Sequence, residues 1–554
     1  MRDEHEAAII PSSYLEGTGE ERAWTQATCH GRHLAVPRIP VNFRSSIQVN
    51  AKPSAAALPW RGRALDQLAA RRFDLLVIGG GVIGAGVANS AARAGLAVAL
   101  VDRADFGSQT SSASSKLVHG GLRYLRLGDV RLVREAHQER RALMRVVAPH
   151  LVRRLPFLVP LYQDGPYRPR TMQLALWLYS TLARERLGGV VQPERARRSV
   201  PALRLENLQG CGAYADAWTH DSRLCLANVR SAADAAATVL NYAEVTAFRI
   251  AHGRAVGAEV RDVLGDTTVS LSARAIVNAT GPWVDRVRLL EDAGARPSSR
   301  LSKGVHVLVG LERPWTAALT IPHDRVRVSF AVPWEGMLLL GTTDELYEGD
   351  PDDVAATDGD VARVFDEASV AVDPALLRTE AVRSRFAGLR VLPGLEGSTQ
   401  SARRETVFLR GRAGVLSVAG GKLTTYRRIA LGVLDALRSD LGLPRFDRAP
   451  APLPGAAGLS AAGTRVARRF PQLDAAVRSH LAHLYGSLAE EVLEPADDDP
   501  ALLERIHPNA PDIAAQELYA RTHEWACRPE DVLRRRTTLS LRGLTPVESD
   551  RVTT

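Results

Sequence analysis

A glycine-rich turn near residue 80 has the spacing of a dinucleotide-binding motif. Gly79, Gly81 and Gly84 form a GxGxxG pattern directly after the apolar stretch 73–78. The first glycine permits a tight turn, the second lets the backbone approach a pyrophosphate, and the third lets a helix pack closely on a strand. Asp102 ends the next apolar stretch, where a carboxylate can accept hydrogen bonds from a ribose. The pattern therefore predicts a strand, turn and helix that bind a nucleotide.

Three further segments favour a flavin over NAD. Residues 106–116 are dense in hydroxyl groups and end in Lys116, and they run directly into a stretch that contains His119. Ala-Thr-Gly at 279–281 follows an apolar strand, and Gly-Gly-Lys at 420–422 precedes a predicted helix. The positive end of that helix can stabilise negative charge on a reduced isoalloxazine ring. Because three separated contacts suit a large cofactor, we expect FAD.

The elements that must position these residues predict an α/β fold. From residue 59 to 447, short apolar strands alternate with helical stretches and glycine-rich turns, which indicates a Rossmann-like domain with an interleaved antiparallel-sheet domain. Residues 448–554 are expected to be almost wholly helical and form a C-terminal helical domain. Residues 1–58 mix Ser, Pro, Arg and Ala without a period, which is typical of a disordered extension or of a start assigned too early.

Composition excludes several other classes of protein. The net charge is +9, but the basic residues are dispersed and aromatic residues make up only 5%, so we expect no nucleic-acid partner. Four scattered cysteines without a CxxC pair argue against disulfides and metal sites, and they suit a reducing cytoplasm. We expect no secretory signal, because the charged residues 1–8 lead into no apolar segment, and no apolar run is long enough to span a bilayer.

Five motifs together resemble one family, the FAD-dependent glycerol-3-phosphate dehydrogenases of respiring bacteria and mitochondria. The likeness covers roughly residues 70–540, with the motifs in the same order along the chain. These enzymes are similar in fold to the group of glycine oxidase and D-amino-acid oxidase. The motifs are GGGVIGAG at 79–86, TSSASSKLVHGGLRYL at 110–125, NATGPWV at 278–284, GTTD at 341–344 and GGKLTTYR at 420–427.

The resemblance implies an activity and its partners. The expected reaction is oxidation of sn-glycerol 3-phosphate to dihydroxyacetone phosphate by hydride transfer to FAD, with electrons passed to a membrane quinone. The expected location is the cytoplasm, peripherally at the inner face of the plasma membrane, and the resemblance also admits a homodimer. Three alternatives stay open: an oxidase that uses oxygen, a related FAD amine oxidase, and a flavin-binding protein without catalysis.

The resemblance also implies the residues that contact the cofactor. Most belong to the motifs above, and Val245, which lies outside them, is expected to touch the adenine through its backbone. They are Gly79, Gly81, Gly84, Asp102, Thr110, Ser114, Lys116, Leu117, His119, Val245, Gly281, Lys422, Leu423 and Thr424.

The catalytic set is expected to combine a base with cations for the phosphate. His119 is the first candidate for the base, because an imidazole titrates near physiological pH, although it is almost equally suited to positioning the cofactor. His306 is a rival base, and a transfer assisted by arginine without a histidine base is a third alternative. We expect Asp344 to brace the substrate domain. The expected phosphate ligands are Arg123, Arg390, Arg404, Lys422 and Thr424, and the expected catalytic residues are His119, Arg123 and Arg390.

Three departures from the family and one helix complete the predictions. The extension before residue 60 has no family counterpart, residues 389–393 replace a more usual Arg-Pro-Leu, and residues 219–223 are less acidic, which leaves the roles of Asp221 and Arg223 undecided. Residues 168–187 predict an amphipathic helix with basic ends. It suits either docking on a membrane surface or packing between domains.

Overall fold

A computed structural model describes residues 58–121, 130–183, 188–325, 327–394 and 406–546. This part of the chain consists of two β-sheets with flanking helices, followed by a helical C-terminal region. The predicted combination of a Rossmann-like domain, an antiparallel sheet and C-terminal helices is confirmed. Arg123, Arg404 and all but the last residue of the predicted extension 1–58 lie outside the described residues.

The strands and helices have the following bounds. The strands are β1 (Arg72–Ile78), β2 (Val98–Val101), β3 (Leu117–Val118), β4 (Val152–Tyr162), β5 (Gly189–Val191), β6 (Leu208–Thr219), β7 (Thr238–Leu240), β8 (Ala243–Ala251), β9 (Arg254–Asp262), β10 (Thr268–Asn278), β11 (Ser299–Gly310), β12 (Ala318–Pro322), β13 (Val328–Trp334), β14 (Met337–Gly341), β15 (Glu345–Tyr347), β16 (Val382–Pro393), β17 (Val407–Arg410) and β18 (Leu416–Ala419). The helices are α1 (Pro59–Ala70), α2 (Val82–Arg93), α3 (Val130–Ala142), α4 (Pro169–Ala183), α5 (Pro193–Ser199), α6 (Asp221–Asp234), α7 (Val284–Glu291), α8 (Asp358–Ser369), α9 (Tyr426–Ala436), α10 (Arg438–Leu441), α11 (Leu459–Arg469), α12 (Ala475–Tyr485), α13 (Ala489–Leu493), α14 (Ala514–His523) and α15 (Pro529–Asp531).

The first sheet has a parallel core with β1 at its centre. β1 pairs in parallel with β2 on one side and with β10 on the other, and β18 adds to β10 in parallel. The apolar residues of β1 are buried because helices cover such a sheet on both faces. Parallel strands end at one edge of a sheet, so Gly79, Asp102, Ala279 and Gly420, which follow these four strands, collect at that edge.

The second sheet is mainly antiparallel and lies beside the hydroxyl-rich segment. β4 pairs with β6, and β11 pairs with β14, β15 and β16. The Oγ1 of Thr110 donates to the carbonyl oxygen of Leu389 on β16 at 2.8 Å. A methyl group on Gly388 would lie 2.7 Å from the carbonyl oxygen of Ala113, so the two backbones touch there. This contact brings residues 110–116 between the two sheets.

The C-terminal helices have their own apolar core and are tied to the first sheet by buried ion pairs. Phe470, Leu481 and Ile513 belong to that core. Asp105 lies three residues after Asp102 and accepts hydrogen bonds from Arg535 and Arg536. Both guanidinium groups are buried, so this contact fixes the C-terminal region against the nucleotide-binding loop.

Candidate active site

The glycine turn has the geometry that its spacing predicts. Gly79 has φ of +101°, and a methyl group there would lie 2.6 Å from the carbonyl oxygen of Ala279. A methyl group on Gly84 would lie only 1.8 Å from the carbonyl oxygen of Gly79. α2 begins at Val82, whose N–H donates to Oγ of Ser111 at 2.9 Å. The turn is therefore closed by backbone contacts that exclude any side chain larger than hydrogen at residues 79 and 84.

Asp102 is held beside this turn. Its carboxylate accepts hydrogen bonds from the N–H of Gly80 at 2.6 Å and from the N–H of Ala104 at 2.8 Å. Burial raises the pKa of Asp102 to about 6, and the two backbone hydrogen bonds oppose that rise. The position of this carboxylate at the end of β2 suits the ribose role that the sequence predicts.

The hydroxyl-rich segment is ordered by an acid whose role the sequence left undecided. Asp221, at the first turn of α6, accepts from Oγ of Ser114 at 2.7 Å and from Nζ of Lys116 at 2.7 Å. Lys116 is buried, and burial lowers its pKa against the opposing effect of Asp221. The Lys116 side chain thus points to Asp221 and helps to fix the segment. Arg223 instead binds Glu524 at 2.7 Å, which links α6 to the C-terminal helices.

The loop before α9 meets the segment that contains His119. The N–H of His119 donates to Oγ1 of Thr424 at 3.2 Å. Gly420 and Gly421 have φ of +84° and +111°, which lets the chain turn sharply before Lys422. The structure thus brings His119 together with Thr424, which is expected to bind both the cofactor and the phosphate of the substrate.

Arg390 lies on the second sheet and is fixed by several acceptors. Its guanidinium donates to Oγ1 of Thr342 at 2.9 Å, to the carbonyl oxygen of Thr343 at 3.2 Å and to Asp344 at 3.2 Å. Asp344 also accepts from Oγ of Ser302. Arg390 keeps 22% of its side chain exposed, so it can meet an anion while its orientation is fixed.

His306 lies next to this arginine and also contacts the cofactor-binding segment. Its Nε2 lies 2.8 Å from Oγ of Ser115, and its ring stacks on Phe386 at a centroid distance of 5.2 Å. Nδ1 has no hydrogen-bond partner within the described residues. Burial, followed by the charges of Arg390 and Lys116, holds the pKa of His306 well below its ordinary value. The imidazole is therefore neutral at physiological pH.

The other predicted cofactor residues are one glycine and three apolar residues. Gly281 has φ of +58° and open space where a side chain would stand. Leu117 lies on β3 with its side chain buried, Val245 is buried in β8, and Leu423 packs against the core beside α9. Open backbone at Gly281 is compatible with cofactor contact, and the side chains of the other three pack against the apolar cores of the protein.

Comparison with known proteins decides the family. Residues 74–427 match the model of the FAD-dependent oxidoreductase family, and residues 449–547 match the C-terminal domain of alpha-glycerophosphate oxidase. Glycerol-3-phosphate dehydrogenase 2 of Mycobacterium tuberculosis is 35% identical over 503 residues, which cover 88% of this chain and 84% of that protein. Aerobic glycerol-3-phosphate dehydrogenase of Staphylococcus saprophyticus is 32% identical over 84% of this chain and 87% of that protein. This chain belongs to the FAD-dependent glycerol-3-phosphate dehydrogenase family.

Solved structures agree with this assignment. The glycerol-3-phosphate dehydrogenase of Bacillus halodurans, complexed with FAD, has a TM-score of 0.70 and 30% identity, and the match covers 87% of this chain and 89% of that one. Glycine oxidase of Geobacillus kaustophilus, at 21% identity and a TM-score of 0.51, shares the fold. The resemblance stated from the motifs, the fold that it implies and the dependence on FAD are all confirmed.

The residues of this dehydrogenase fit FAD. The three successive glycines at 79–81 leave the backbone open to a pyrophosphate, since the nearest atom to a methyl group on Gly81 would be Oγ of Ser111 at 3.1 Å. Asp102 lies at the end of β2, where the sequence predicts a ribose, and Gly281 leaves open space just after β10. These three features lie at one edge of the first sheet, as a long cofactor requires.

A buried cluster of His and Glu joins the dehydrogenase's second sheet to its C-terminal helices. Oε1 of Glu335 lies 3.0 Å from Nε2 of His220 and 3.3 Å from Nδ1 of His483, and Oε2 lies 3.3 Å from Arg542. Burial raises the pKa of Glu335, but the hydrogen bonds from both histidines outweigh it and hold the pKa well below the ordinary range. These residue types also bind metals. Because the carboxylate already has three donors, we interpret the cluster as a hydrogen-bonded junction.

Proposed function

We propose that this dehydrogenase oxidises the C2 hydroxyl of sn-glycerol 3-phosphate and yields dihydroxyacetone phosphate. The observation that carries the proposal is the pairing of a fixed cation, Arg390, with a neutral imidazole, His306, beside the cofactor-binding segment. A phosphorylated secondary alcohol needs a cation for its phosphate and an acceptor for its hydroxyl proton. The names of the relatives point to the same substrate.

The residues have separate tasks in this reaction. FAD supplies the hydride acceptor when it is bound. Arg390 binds the phosphate, and we retain Arg123, Arg404, Lys422 and Thr424 as further phosphate ligands. His306 takes the hydroxyl proton at Nε2, where the substrate hydroxyl takes the place of Oγ of Ser115, which lies 2.8 Å from that nitrogen in the structure.

We assign the base to His306 and cofactor positioning to His119. His306 is neutral because of burial, and it lies beside the arginine that faces the substrate. The backbone of His119 is bound to Thr424 in the loop before α9, where a reduced flavin needs stabilisation. This division adopts the alternative role for His119, so Arg390 and His306 form the catalytic pair.

The direct test is anaerobic reduction of the bound flavin. Addition of glycerol 3-phosphate to the purified holoprotein is expected to bleach the flavin absorbance, whereas glycerol and glycine at the same concentration leave it unchanged. Bleaching by glycine alone would replace the proposal with an amine oxidase. A flavin that no substrate bleaches would favour a flavin-binding protein without catalysis.

Loss of the Arg390 charge is expected to affect the phosphorylated substrate selectively. A charge-assisted hydrogen bond contributes about 1.5–3 kcal/mol, so Arg390→Gln should lower kcat/KM for glycerol 3-phosphate by about 10- to 150-fold. Steady-state kinetics with glycerol 3-phosphate, and with glycerol at a concentration high enough to give measurable turnover, would measure the change in preference. Arg385→Gln is the matched control, since Arg385 lies on the same strand and pairs with Asp358 at the surface. An equal loss for both substrates would remove Arg390 from phosphate binding.

We propose a membrane quinone as the electron acceptor, reached from the membrane surface. Among the described residues, no helix is both long and apolar enough to cross a membrane. α4 has two apolar faces: Leu176 and Tyr179 are buried, while Leu174, Trp177 and Leu178 are 66%, 48% and 40% exposed. Exposed apolar side chains on a helix with basic residues at its start suit insertion into an anionic membrane surface. The buried face of this helix thus suits the predicted packing role, and its exposed apolar face suits the predicted docking role.

Removal of the exposed apolar face is expected to weaken membrane binding. Replacing Leu174, Trp177 and Leu178 by serine should lower the partition coefficient for anionic vesicles by at least about tenfold, because each apolar side chain contributes about 1.5–3 kcal/mol when fully buried. Co-sedimentation with vesicles measures the change. Leu289→Ser with Leu290→Ser on α7 is the control, since both are also exposed. Equal binding of all three proteins would contradict docking through α4.

Oxygen is the alternative acceptor. The C-terminal match to a domain of alpha-glycerophosphate oxidase favours testing it. The proposed quinone reductase should consume little oxygen with glycerol 3-phosphate alone and should reduce a soluble quinone analogue rapidly. Stoichiometric peroxide at a rate equal to kcat would assign an oxidase.

A further inference from the structure

A buried carboxylate lies beneath the peptide that joins His119 to Gly120. Asp216, on β6, is only 3% exposed. Its Oδ1 accepts from the N–H of Gly120 at 2.9 Å, and the hydroxyl of Tyr179 lies 3.1 Å from both carboxylate oxygens. Arg140 on α3 adds an ion pair to Oδ1. Donors from a loop and from two helices therefore converge on one side chain.

There is no room for a side chain at residue 120. A methyl group on Gly120 would lie 2.2 Å from Cε1 of His137 and 2.5 Å from the hydroxyl of Tyr179. His137 is fully buried, and burial together with Arg140 lowers its pKa to about 3. Its imidazole is therefore neutral and brings no charge that competes for Asp216. The backbone at 119–120 is enclosed on this side by packed groups.

We propose that Asp216 is a positioning residue that holds the His119–Gly120 peptide in place for the reaction. Asp216 binds the N–H of Gly120, while Thr424 binds the N–H of His119 at 3.2 Å. Two successive amides are thus held by side chains from two different parts of the fold. The pair fixes the His119 side chain relative to the loop before α9. The inference rests on the proposed function, in which His119 positions the cofactor.

The buried ion pair between Arg61 and Asp262 provides a comparison, because it lies away from the proposed site. Asp262 on β9 accepts from Arg61 and from the N–H of Leu264 at 3.0 Å, and both charged side chains are 1% exposed. Asp216 and Asp262 therefore share two kinds of partner, one guanidinium and one backbone N–H, and Asp216 has the hydroxyl of Tyr179 in addition. Only Asp216 holds an amide next to a residue of the proposed site. Asp262→Ala is accordingly a matched control for the loss of a buried ion pair.

The experiment compares Asp216→Ala, Asp216→Asn and Asp262→Ala as FAD-loaded proteins. In Asp216→Ala, amide hydrogen exchange in residues 117–121 should accelerate by about tenfold or more. The flavin reduction rate constant at saturating glycerol 3-phosphate should fall by about 10- to 100-fold, because a small misplacement near the reacting atoms has a large effect. KM should change by less than about threefold, since the phosphate ligands stay in place.

Asp216→Asn separates positioning from charge. Its amide oxygen can still accept the Gly120 N–H, so it should restore most of the exchange protection and of the rate. A role limited to the ion pair with Arg140 would leave Asp216→Asn as impaired as Asp216→Ala. Asp262→Ala should lower the Tm without changing either readout.

Other outcomes overturn the proposal. Unchanged exchange at residues 117–121 in Asp216→Ala would do so, as would an equal loss of rate in Asp262→Ala. If Asp216→Ala yields no folded protein, Tyr179→Phe removes one donor to the carboxylate and should accelerate exchange at 117–121 by at least about twofold; no acceleration would overturn the proposal. A wild-type flavin that glycerol 3-phosphate fails to reduce would reject the proposed function, while the exchange data still decide the role of Asp216.

Discussion

Replacing His306 by asparagine is expected to lower the flavin reduction rate constant by about 10²- to 10⁴-fold, the usual contribution of a general base. The imidazole lies 2.8 Å from Oγ of Ser115, and its neighbours keep it neutral. Asparagine retains a polar side chain but cannot take up a proton at its amide nitrogen. Anaerobic stopped-flow mixing with saturating glycerol 3-phosphate measures the loss directly, without interference from the second substrate.

Two control variants make this prediction specific. His323 has the same type of contact, with Nε2 2.8 Å from Oγ of Ser329, and it is also largely buried. His323→Asn should therefore perturb local packing but leave the flavin reduction rate constant within about twofold of wild type. His119→Asn should weaken FAD retention more than the rate constant of the fully loaded protein. A larger rate loss in His119→Asn than in His306→Asn would return the base to His119.

The assignment also fixes the direction of the pH dependence. A base must be neutral, so protonation of His306 inactivates the enzyme as the pH falls through its pKa. Burial and the charges of Arg390 and Lys116 lower that pKa, so the rate constant should persist below the ordinary histidine value of 6.5. Saturating substrate is needed because a phosphate monoester has its own pKa of about 6. An acid limb at or above 6.5 in this rate constant would contradict His306 as the base.

The sequence predicted most accurately those parts of the site in which the contacting residues are close together along the chain. The turn from β1 into α2 is made by residues a few positions apart, so glycine spacing alone predicted its close contacts. Glycine spacing did not fix the start of the helix: α2 begins at Val82, between the second and third glycines of the motif, and the N–H of Val82 donates to Ser111. The helix predicted over 168–187 is described over Pro169–Ala183, and residues 184–187 lie outside the described residues.

The partners of the site residues escaped sequence reasoning because they are distant along the chain. Lys116 and Asp221 are 105 positions apart, and Ser115 and His306 are 191 positions apart. Only the pairing of β3 with β6 and of β11 with β16 brings such residues together. Asp216 belongs to no recognised sequence motif. Its contact with the N–H of Gly120 forms only in the folded protein, so the sequence did not predict it. Individual site residues could be predicted from the sequence, but their hydrogen-bond partners could not, because these depend on how the strands pair.

The second large effect is expected from a single methyl group at Gly84. In Gly84→Ala the new methyl would lie 1.8 Å from the carbonyl oxygen of Gly79 and 3.3 Å from Cβ of Ala279. The first contact is with backbone, so relief requires α2 to move away from β1. Such a shift displaces the N–H groups that bind the pyrophosphate. We expect the affinity for FAD to fall by at least about a hundredfold, about 2.8 kcal/mol, and the Tm of the apoprotein to fall as well.

Gly81→Ala separates cofactor binding from folding at the same turn. A methyl on Gly81 would meet only Oγ of Ser111 at 3.1 Å, so the apoprotein should keep a Tm close to wild type while FAD affinity falls. Gly62→Ala on α1 has no atom within 4 Å of the new methyl and should leave both quantities unchanged or slightly improve stability. Titration of each apoprotein with FAD and thermal unfolding measure the two effects. Wild-type FAD affinity in Gly84→Ala would mean that α2 does not present its amides to the cofactor, because no other arrangement of this turn leaves room for the methyl.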